Sequence, residues 1–190
     1  VTYSLTMTLD GYVVGPDGRF DWAEPDPEVF AFATDEVRDL DVHLMGRRLY
    51  ETMVYWEDPE QAASFGEAEQ EFADVWNALP KVVFSSTLSS VDGSGARLAT
   101  GDLAEEIERL RAEPGDGNIG IGGATLAAAA SDADLIDEYR IRVLPVLVGG
   151  GLPYFSRGER RHDLELLETR TFPSQTHFLR YRVVRPTGDG

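Results

Sequence analysis

Hydrophobic and polar positions recur along the chain with two periods, and each period predicts one kind of element. From residue 1 to residue 14, apolar residues alternate with threonine and serine, which is the period of a β-strand with one polar face. The pair Asp10-Gly11 interrupts this strand with turn chemistry. Apolar residues at helical spacing follow in residues 28–40 and, more regularly, in residues 65–79.

Shorter segments complete an alternating order of strands and helices. Strands are predicted at residues 41–45, 81–84, 119–121, 136–148, 163–172 and 176–184, and helices at residues 49–53, 103–110 and 126–130. Strand and helix alternate until the last two strands, which follow each other directly. The order predicts an α/β domain with a mostly parallel central sheet, flanking helices and a C-terminal antiparallel ribbon. One domain over residues 1–190 is expected, with an ordered core of about residues 2–184 and a frayed tail.

Composition narrows the classes of protein. The 190 residues are 42% hydrophobic, enough for one domain with a sizeable core. The absence of cysteine excludes disulfides, thiolate zinc sites and a cysteine nucleophile. The three histidines lie far apart, and no metal site is expected. No segment has the pattern of a membrane span or a signal peptide, so a soluble cytoplasmic protein is expected.

The charge balance argues against two kinds of partner. A formal net charge of −17 disfavours nucleic acids and anionic membrane surfaces, because both need compensating lysine and arginine. The adjacent pair Arg47-Arg48 stands out in so acidic a chain.

A glycine pair marks the first candidate site. Gly122-Gly123 follows an apolar strand and precedes Ala124, Thr125 and Leu126, which open an alanine-rich run. A helix that starts here would direct free N–H groups and its positive dipole end at a ligand, which suits phosphate or pyrophosphate. The alternative is a turn with no ligand, which is the commoner role of an isolated glycine pair.

Two more strand ends carry groups that suit anions. Gly46-Arg47-Arg48 follows the strand at residues 41–45, and arginine matches phosphate oxygens in a bidentate way. Ser85-Ser86 follows the strand at residues 81–84 and offers hydroxyl donors. Solvated surface charges and a serine turn are the alternatives. Three such ends in one domain favour an extended phosphorylated cofactor, because dinucleotides bind across the carboxyl ends of parallel strands.

The sequence signals for residues that bind or act on a substrate are less specific. Asp10, at the end of the first strand, is the candidate catalytic residue, as a substrate anchor or proton relay; capping of its turn is the equal alternative. Trp22, Tyr50 and Trp56 are candidates for the wall of a substrate pocket. Aromatic residues of this kind belong more often to the core.

Six motifs occur in the order of a known family. They are Leu9-Asp10-Gly11-Tyr12-Val13-Val14-Gly15, Asp21-Trp22, Gly46-Arg47-Arg48-Leu49-Tyr50-Glu51, Val83-Phe84-Ser85-Ser86, Gly122-Gly123-Ala124-Thr125-Leu126 and Pro145-Val146-Leu147-Val148-Gly149-Gly150-Gly151. From residue 2 to about residue 184 the chain resembles the dihydrofolate-reductase-like proteins related to the reductase domain of the bifunctional riboflavin-biosynthesis deaminase-reductase.

The resemblance implies a dihydrofolate-reductase-like fold and NADPH as cofactor. By its motifs, residues 46–48 would hold cofactor phosphates and Ser85 and Ser86 the adenosine 2′-phosphate. Residues 122–126 would hold the pyrophosphate, and Val13 and Val14 would lie near the nicotinamide. Members of the family are often dimers, and apolar pairs in the late strands (Leu166-Leu167, Phe178-Leu179) also favour a homodimer. The alternative is that these pairs fill the monomer core on both sides of the sheet.

The reaction stays open between several functions. The first hypothesis is an NADPH-dependent reductase of a small pterin-like or ribosylaminopyrimidine-like heterocycle. The resemblance implies 5-amino-6-(5-phosphoribosylamino)uracil reductase activity. The alternatives are dihydrofolate reduction and a non-catalytic nucleotide-binding protein on the same fold. True dihydrofolate reductases carry an acidic residue on the first helix that protonates the pterin. Glu28, Asp35 and Glu36 are the candidates for its counterpart here, and a solvated helix charge is the alternative for each.

Overall fold

The computed structural model describes residues 1–23, 26–93, 95–115, 118–155, 158 and 161–185. Its strands are β1 (Thr2–Thr8), β2 (Tyr12–Val14), β3 (Leu40–Gly46), β4 (Lys81–Phe84), β5 (Ala96–Leu98), β6 (Asn118–Gly122), β7 (Glu138–Leu144), β8 (Leu152–Pro153), β9 (Asp163–Thr171) and β10 (His177–Val184). Its α-helices are α1 (Pro27–Arg38), α2 (Arg47–Met53), α3 (Pro59–Ala62), α4 (Glu67–Ala78), α5 (Leu103–Ala112) and α6 (Ala124–Asp132). Short 3-10 helices occupy Asp21–Ala23 and Val54–Glu57.

Eight strands form one sheet in the order β5-β4-β3-β6-β1-β7-β10-β9. Neighbours from β5 to β7 are parallel, whereas β10 runs antiparallel to both β7 and β9. The predicted fold, a mostly parallel sheet with a C-terminal antiparallel ribbon, is confirmed. β2 and β8 form a separate two-stranded sheet.

The two faces of the sheet are covered by different helices. Leu44 on β3 points to the face where Ile107 of α5 and the alanines of α6 complete the larger core. Met45, the next residue, points to the opposite face and packs with Phe72 and Trp76 of α4. Successive side chains of a strand alternate in this way, so one strand supplies two cores.

Helix ends follow local signals in the sequence. Asp26 caps α1 by accepting hydrogen bonds from the backbone N–H groups of Glu28 and Val29. Asp102 and Glu105 form a reciprocal capping box at the start of α5, as S/T/D-x-x-E patterns predict.

The predicted elements differ from the structure mainly in short strands. The alternation over residues 1–14 becomes two strands, because the turn at Asp10-Gly11 separates β1 from β2. β7 ends at Leu144, since Pro145 has no N–H for the ladder. β5 and β8 have three and two residues, too few to show a period. The predicted tail, residues 186–190, lies outside the described residues. Within those residues, no helix is long and apolar enough to cross a bilayer.

Candidate active site

The carboxyl ends of the parallel strands meet at one edge of the sheet. Gly46 at the end of β3 pairs with Phe84 at the end of β4, and Met45 pairs with Gly122 at the end of β6. The three strand ends singled out in the sequence therefore lie side by side. In open α/β sheets this edge is where ligands bind.

The glycine turn combines two constraints. Gly123 is the N-cap of α6 and has φ +86, a conformation that favours glycine. A Cβ on Gly122 would lie 2.5 Å from the side chains of His43 and Leu49. Packing inside the protein thus requires Gly122, and the backbone requires Gly123.

The first turn of α6 faces the same edge. The amides that open an α-helix have no partner within the helix, and α6 has nine residues. Thr125 is exposed, whereas Ala124 is buried and Leu126 packs against the larger core. The turn therefore offers N–H groups and one hydroxyl to a ligand.

The two arginines at the start of α2 have different surroundings. The Arg47 guanidinium donates to Glu51 Oε1 over 2.6 Å and to Thr87 Oγ1 over 2.8 Å. Arg48 is exposed, and its guanidinium has no partner among the described residues. A Cβ on Gly46 would meet no described atom within 4 Å. Open backbone and an unengaged guanidinium at one position fit a phosphate group.

The serines after β4 also differ. Ser85 Oγ accepts hydrogen bonds from the backbone N–H groups of Thr87 (3.2 Å) and Leu88 (3.0 Å) and so shapes the turn. Ser86 is exposed, and its hydroxyl has no partner within the described part of the chain. Ser86 is the hydroxyl that remains available at this strand end.

Asp10 ties the end of β1 to the segment after β7. Its carboxylate accepts hydrogen bonds from the Thr8 hydroxyl (2.6 Å), Gly149 N–H (2.7 Å) and Val148 N–H (3.1 Å). The Thr8 bond, followed by the two backbone bonds, lowers the pKa of Asp10 below its ordinary value. These contacts describe an ionised residue that holds a glycine-rich segment in place.

That segment lies against β2. A Cβ on Gly151, whose φ is +117, would lie 2.0 Å from the carbonyl oxygen of Val14. Only glycine allows this approach. Val13 is buried, and Val14 packs against the larger core, so the two valines predicted near the nicotinamide sit in a clamped strand.

A cleft of about 250 Å³ lies between α1 and the sheet. Its apolar wall includes Val29, Phe30 and Ala33 of α1 with Phe72 and Trp76 of α4. Its polar wall combines Glu36 of α1 with side chains from the sheet, namely Ser4, Thr6, His43, Arg140 and Arg142. Leu49 and Gly122 also line the cleft, so it adjoins the edge where the glycine turn lies.

A buried charge cluster forms the floor of this cleft. Arg142 is ion-paired with Glu36 Oε2 and donates to the hydroxyls of Ser4 (3.1 Å) and Thr6 (3.2 Å). Arg140 lies 3.7 Å from Glu36 Oε1, an oxygen without a hydrogen bond. The cluster presents one carboxylate oxygen between two guanidiniums.

Burial separates the three acidic candidates of α1. Glu28 is exposed and ion-paired with Arg170, and Asp35 is exposed and ion-paired with Arg38. Glu36 is 9% exposed and faces the cleft. The sequence contains no signal that distinguishes Glu36, because its arginine partners lie about a hundred residues further along the chain.

His43 also lines the cleft. Its ring packs edge-on against Trp76, and its Nδ1 is enclosed without a hydrogen bond among the described residues. Burial, with a smaller effect of the Lys81 charge, lowers the pKa of His43 to about 4. The imidazole is therefore neutral at physiological pH.

Among the described residues, the cleft lining does not include the three aromatic residues predicted for its wall, Trp22, Tyr50 and Trp56. Trp22 sits in the 3-10 turn next to Ala23, which lines the cleft. Tyr50 holds a loop, because its hydroxyl bonds both the carbonyl (2.7 Å) and the N–H (2.9 Å) of Asp92. Trp56 packs on Phe30 and Phe72, one layer behind the apolar wall. The described residues contain no group of three potential metal ligands.

Comparison with known proteins agrees with this architecture. Residues 1–178 match the family described as RibD C-terminal domain. YyaP of Bacillus subtilis, an uncharacterised protein, is 32% identical over 178 residues, which are 92% of this chain and 89% of the relative.

Solved structures share the fold. A putative riboflavin biosynthesis protein from a Shewanella species has a TM-score of 0.77 at 22% identity, and the match covers 97% of this chain and 98% of that one. A diaminohydroxyphosphoribosylaminopyrimidine deaminase/5-amino-6-(5-phosphoribosylamino)uracil reductase from Thermotoga maritima has a TM-score of 0.64 at 15% identity. That match covers 96% of this chain and 56% of the Thermotoga protein.

Proposed function

The chain belongs to the RibD C-terminal domain family, and on that premise we propose that it is an NADPH-dependent reductase of a small heterocycle. The observation that carries the proposal is that the cleft adjoins the carboxyl edge of the sheet through Leu49 and Gly122. A cofactor bound along the edge and a substrate bound in the cleft would meet at these residues. Such juxtaposition of two reactants is the main contribution that a protein makes to hydride transfer.

The edge fits the cofactor. Arg48, Ser86 and the first turn of α6 would hold its phosphates, and Gly46 leaves room for one of them. Arg47 would keep α2 aligned with the turn after β4 through Glu51 and Thr87. When bound, NADPH supplies the hydride.

The floor of the cleft suits a lactam edge. Glu36 Oε1 would accept from a ring N–H, and the Arg140 or Arg142 guanidinium would donate to the adjacent ring carbonyl. A pterin edge with two donors suits this floor less well, because Arg142 already occupies Glu36 Oε2. This pattern supports an aminouracil-type substrate, as in 5-amino-6-(5-phosphoribosylamino)uracil, over dihydrofolate.

The other groups position and enclose the substrate. The Ser4 and Thr6 hydroxyls hold the Arg142 guanidinium, and Asp10 holds the glycine-rich segment that covers β2. Neutral His43 and the apolar wall of α1 and α4 would keep the cleft poorly hydrated, which strengthens hydrogen bonds to the floor.

A substrate screen tests the proposal. NADPH oxidation is measured with ribosylated aminouracils, pterins and dihydrofolate, for the wild type, Glu36→Gln and the control Glu28→Gln on the same helix. We expect saturable oxidation with an aminouracil and a raised KM only in Glu36→Gln. Turnover of dihydrofolate alone would reassign the substrate, and NADPH binding without any turnover would indicate a non-catalytic nucleotide-binding protein.

A further inference from the structure

A second polar cluster lies on the opposite face of the sheet, where α6 ends. The Ser131 hydroxyl lies 3.4 Å from His162 Nε2 and 3.0 Å from the Tyr139 hydroxyl. On the other side of the imidazole, His162 Nδ1 lies 3.9 Å from Asp134 Oδ1. A hydroxyl, an imidazole and a carboxylate thus stand in line.

The cluster opens into a small pocket. The pocket has a volume of about 180 Å³. Its walls are mainly apolar, with Tyr3, Ala127, Tyr154, Phe155 and Leu164 around the polar end formed by Ser131 and His162. A short acyl chain or a small aromatic ring fits these dimensions.

We propose that Ser131, His162 and Asp134 form a nucleophilic triad that hydrolyses small carboxylic esters in this pocket. The order of roles is the one by which such triads are recognised on unrelated folds. Triad contacts in a free enzyme are often longer than in the substrate complex, which is consistent with the 3.4 and 3.9 Å separations.

The reaction needs only an ester and water. Ser131 Oγ attacks the ester carbonyl carbon while His162 Nε2 takes the hydroxyl proton, and a C–Oγ bond forms. The tetrahedral intermediate breaks its bond to the alkoxy oxygen, which leaves as the alcohol with the proton from His162. Water then attacks the acyl-serine with His162 as base, releasing the carboxylic acid and restoring Ser131.

Two neighbours define the environment of the triad. The Tyr139 hydroxyl is placed to donate to the carbonyl oxygen as it becomes negative. Burial raises the pKa of Tyr139, so the hydroxyl stays protonated. Arg185 Nε lies 3.8 Å from the same Asp134 oxygen, and this contact keeps the carboxylate in position. No group of the reductase cleft takes part, so this inference does not depend on the proposed NADPH reaction.

The test is hydrolysis of p-nitrophenyl acetate and butyrate by the full chain without NADPH. Ser131→Ala should abolish hydrolysis, and His162→Ala should lower it by about a hundredfold or more. Tyr139→Phe keeps the ring and should lower kcat with little change in KM. Ser64→Ala, at an exposed serine in the turn after α3, is the control and should keep wild-type activity. Circular dichroism verifies folding of each variant.

Active-site labelling gives an independent measurement. A fluorophosphonate should modify the wild type at Ser131, located by peptide mass spectrometry, and should leave Ser131→Ala unmodified. The absence of hydrolysis and labelling in the folded wild type overturns the proposal. Hydrolysis that persists unchanged in Ser131→Ala overturns it as well, because the activity then comes from elsewhere.

Discussion

Glu36 on α1 and Arg142 on β7 form an ion pair between the first helix and the sheet, and both side chains are about nine-tenths buried. Removing one partner of a buried pair leaves an uncompensated charge, which is far more costly than losing an exposed pair. The ion pair at the cleft floor therefore also holds α1 against the sheet. Its loss should be visible in stability as well as in substrate binding.

We expect Glu36→Gln to lower the free energy of unfolding by about 3 kcal/mol. Glu28→Gln removes the exposed pair with Arg170 and should cost at most about 1 kcal/mol. Urea titrations of both variants make the comparison. Equal losses would show that Glu36 is not paired within the fold in solution.

The cofactor prediction concerns NADPH against NADH. Arg48 and Ser86 are available to an additional phosphate, and one charge-assisted contact corresponds to a preference of about ten- to a hundredfold. Calorimetric titration measures both affinities. Arg48→Ala should remove most of the preference, whereas Arg161→Ala, at an exposed arginine paired with Asp163, should preserve it. Equal binding of the two cofactors by the wild type would refute the assignment.

The glycine turn yields a prediction with a necessary control. Because Gly123 has φ +86, any side chain there strains the backbone, so a substitution at this position needs a control at a second strained glycine. Gly95 has φ +68 and precedes β5 at the amino end of the sheet. Gly123→Ala and Gly95→Ala should each lower the free energy of unfolding by about 1–3 kcal/mol and therefore lower Tm.

Only Gly123→Ala should lose the rise in Tm that NADPH produces in the wild type. Thermal melts with and without NADPH separate strain from ligand binding. If Gly123→Ala keeps the full rise, the cofactor binds elsewhere.

Stability should fall in acid because of Glu106 on α5. This fully buried carboxylate accepts from Arg97 (2.8 Å) and from Thr100 N–H (2.7 Å). The Arg97 hydrogen bond, with smaller effects of Thr100, lowers the pKa of Glu106 from 4.5 to about 2. A carboxylate with a lowered folded-state pKa stabilises the fold above its unfolded pKa and loses that contribution as pH falls to the folded value.

The loss therefore falls between pH 4.5 and about pH 2 and amounts to roughly 3 kcal/mol. Urea unfolding across this range measures it. Glu106→Gln should flatten the acid limb, while Glu108→Gln, at an exposed position of the same helix, should leave it unchanged. An identical acid limb in Glu106→Gln would exclude this carboxylate as the cause.

The exposed apolar residues of the edge strand β9 lead to a prediction of the oligomeric state. Leu166 and Leu167 on the edge strand β9 are 52% and 38% exposed. Phe178, in contrast, is buried against Phe32, so Phe178→Asp would disturb the monomer rather than report on an interface. We expect a C2 homodimer through β9. Light scattering should give twice the 21.0 kDa monomer mass, and Leu166→Asp should restore the monomer; a wild-type monomer at micromolar concentration would contradict the prediction.

Sequence periodicity anticipated most of the fold because long elements show their period. The helices predicted at residues 28–40 and 65–79 correspond to α1 (Pro27–Arg38) and α4 (Glu67–Ala78). The anion-suited strand ends were visible because glycine, arginine and serine act locally, next to the turn that they form.

The cleft could not be predicted from the sequence, because the residues that form it are far apart along the chain. Glu36 and Arg142 are separated by 106 residues, and each carries an ordinary surface charge when considered alone. Ser4 and Thr6 looked like the solvent side of a strand, and only the packing of α1 over that side makes them part of a cleft. Whether a charged side chain is exposed or buried depends on tertiary packing, which composition and hydrophobic periodicity do not reveal.

Alternate residues of β1 face opposite sides of the sheet. Tyr3 and Met7 belong to the larger core, whereas Ser4 and Thr6 reach the cleft floor. If the proposed substrate binds in this cleft, variants at positions 4 and 6 should change ligand preference while the packing of the other face stays intact. Related proteins could therefore differ in ligand preference through substitutions on one face of the strand, while the core packing on the other face is retained.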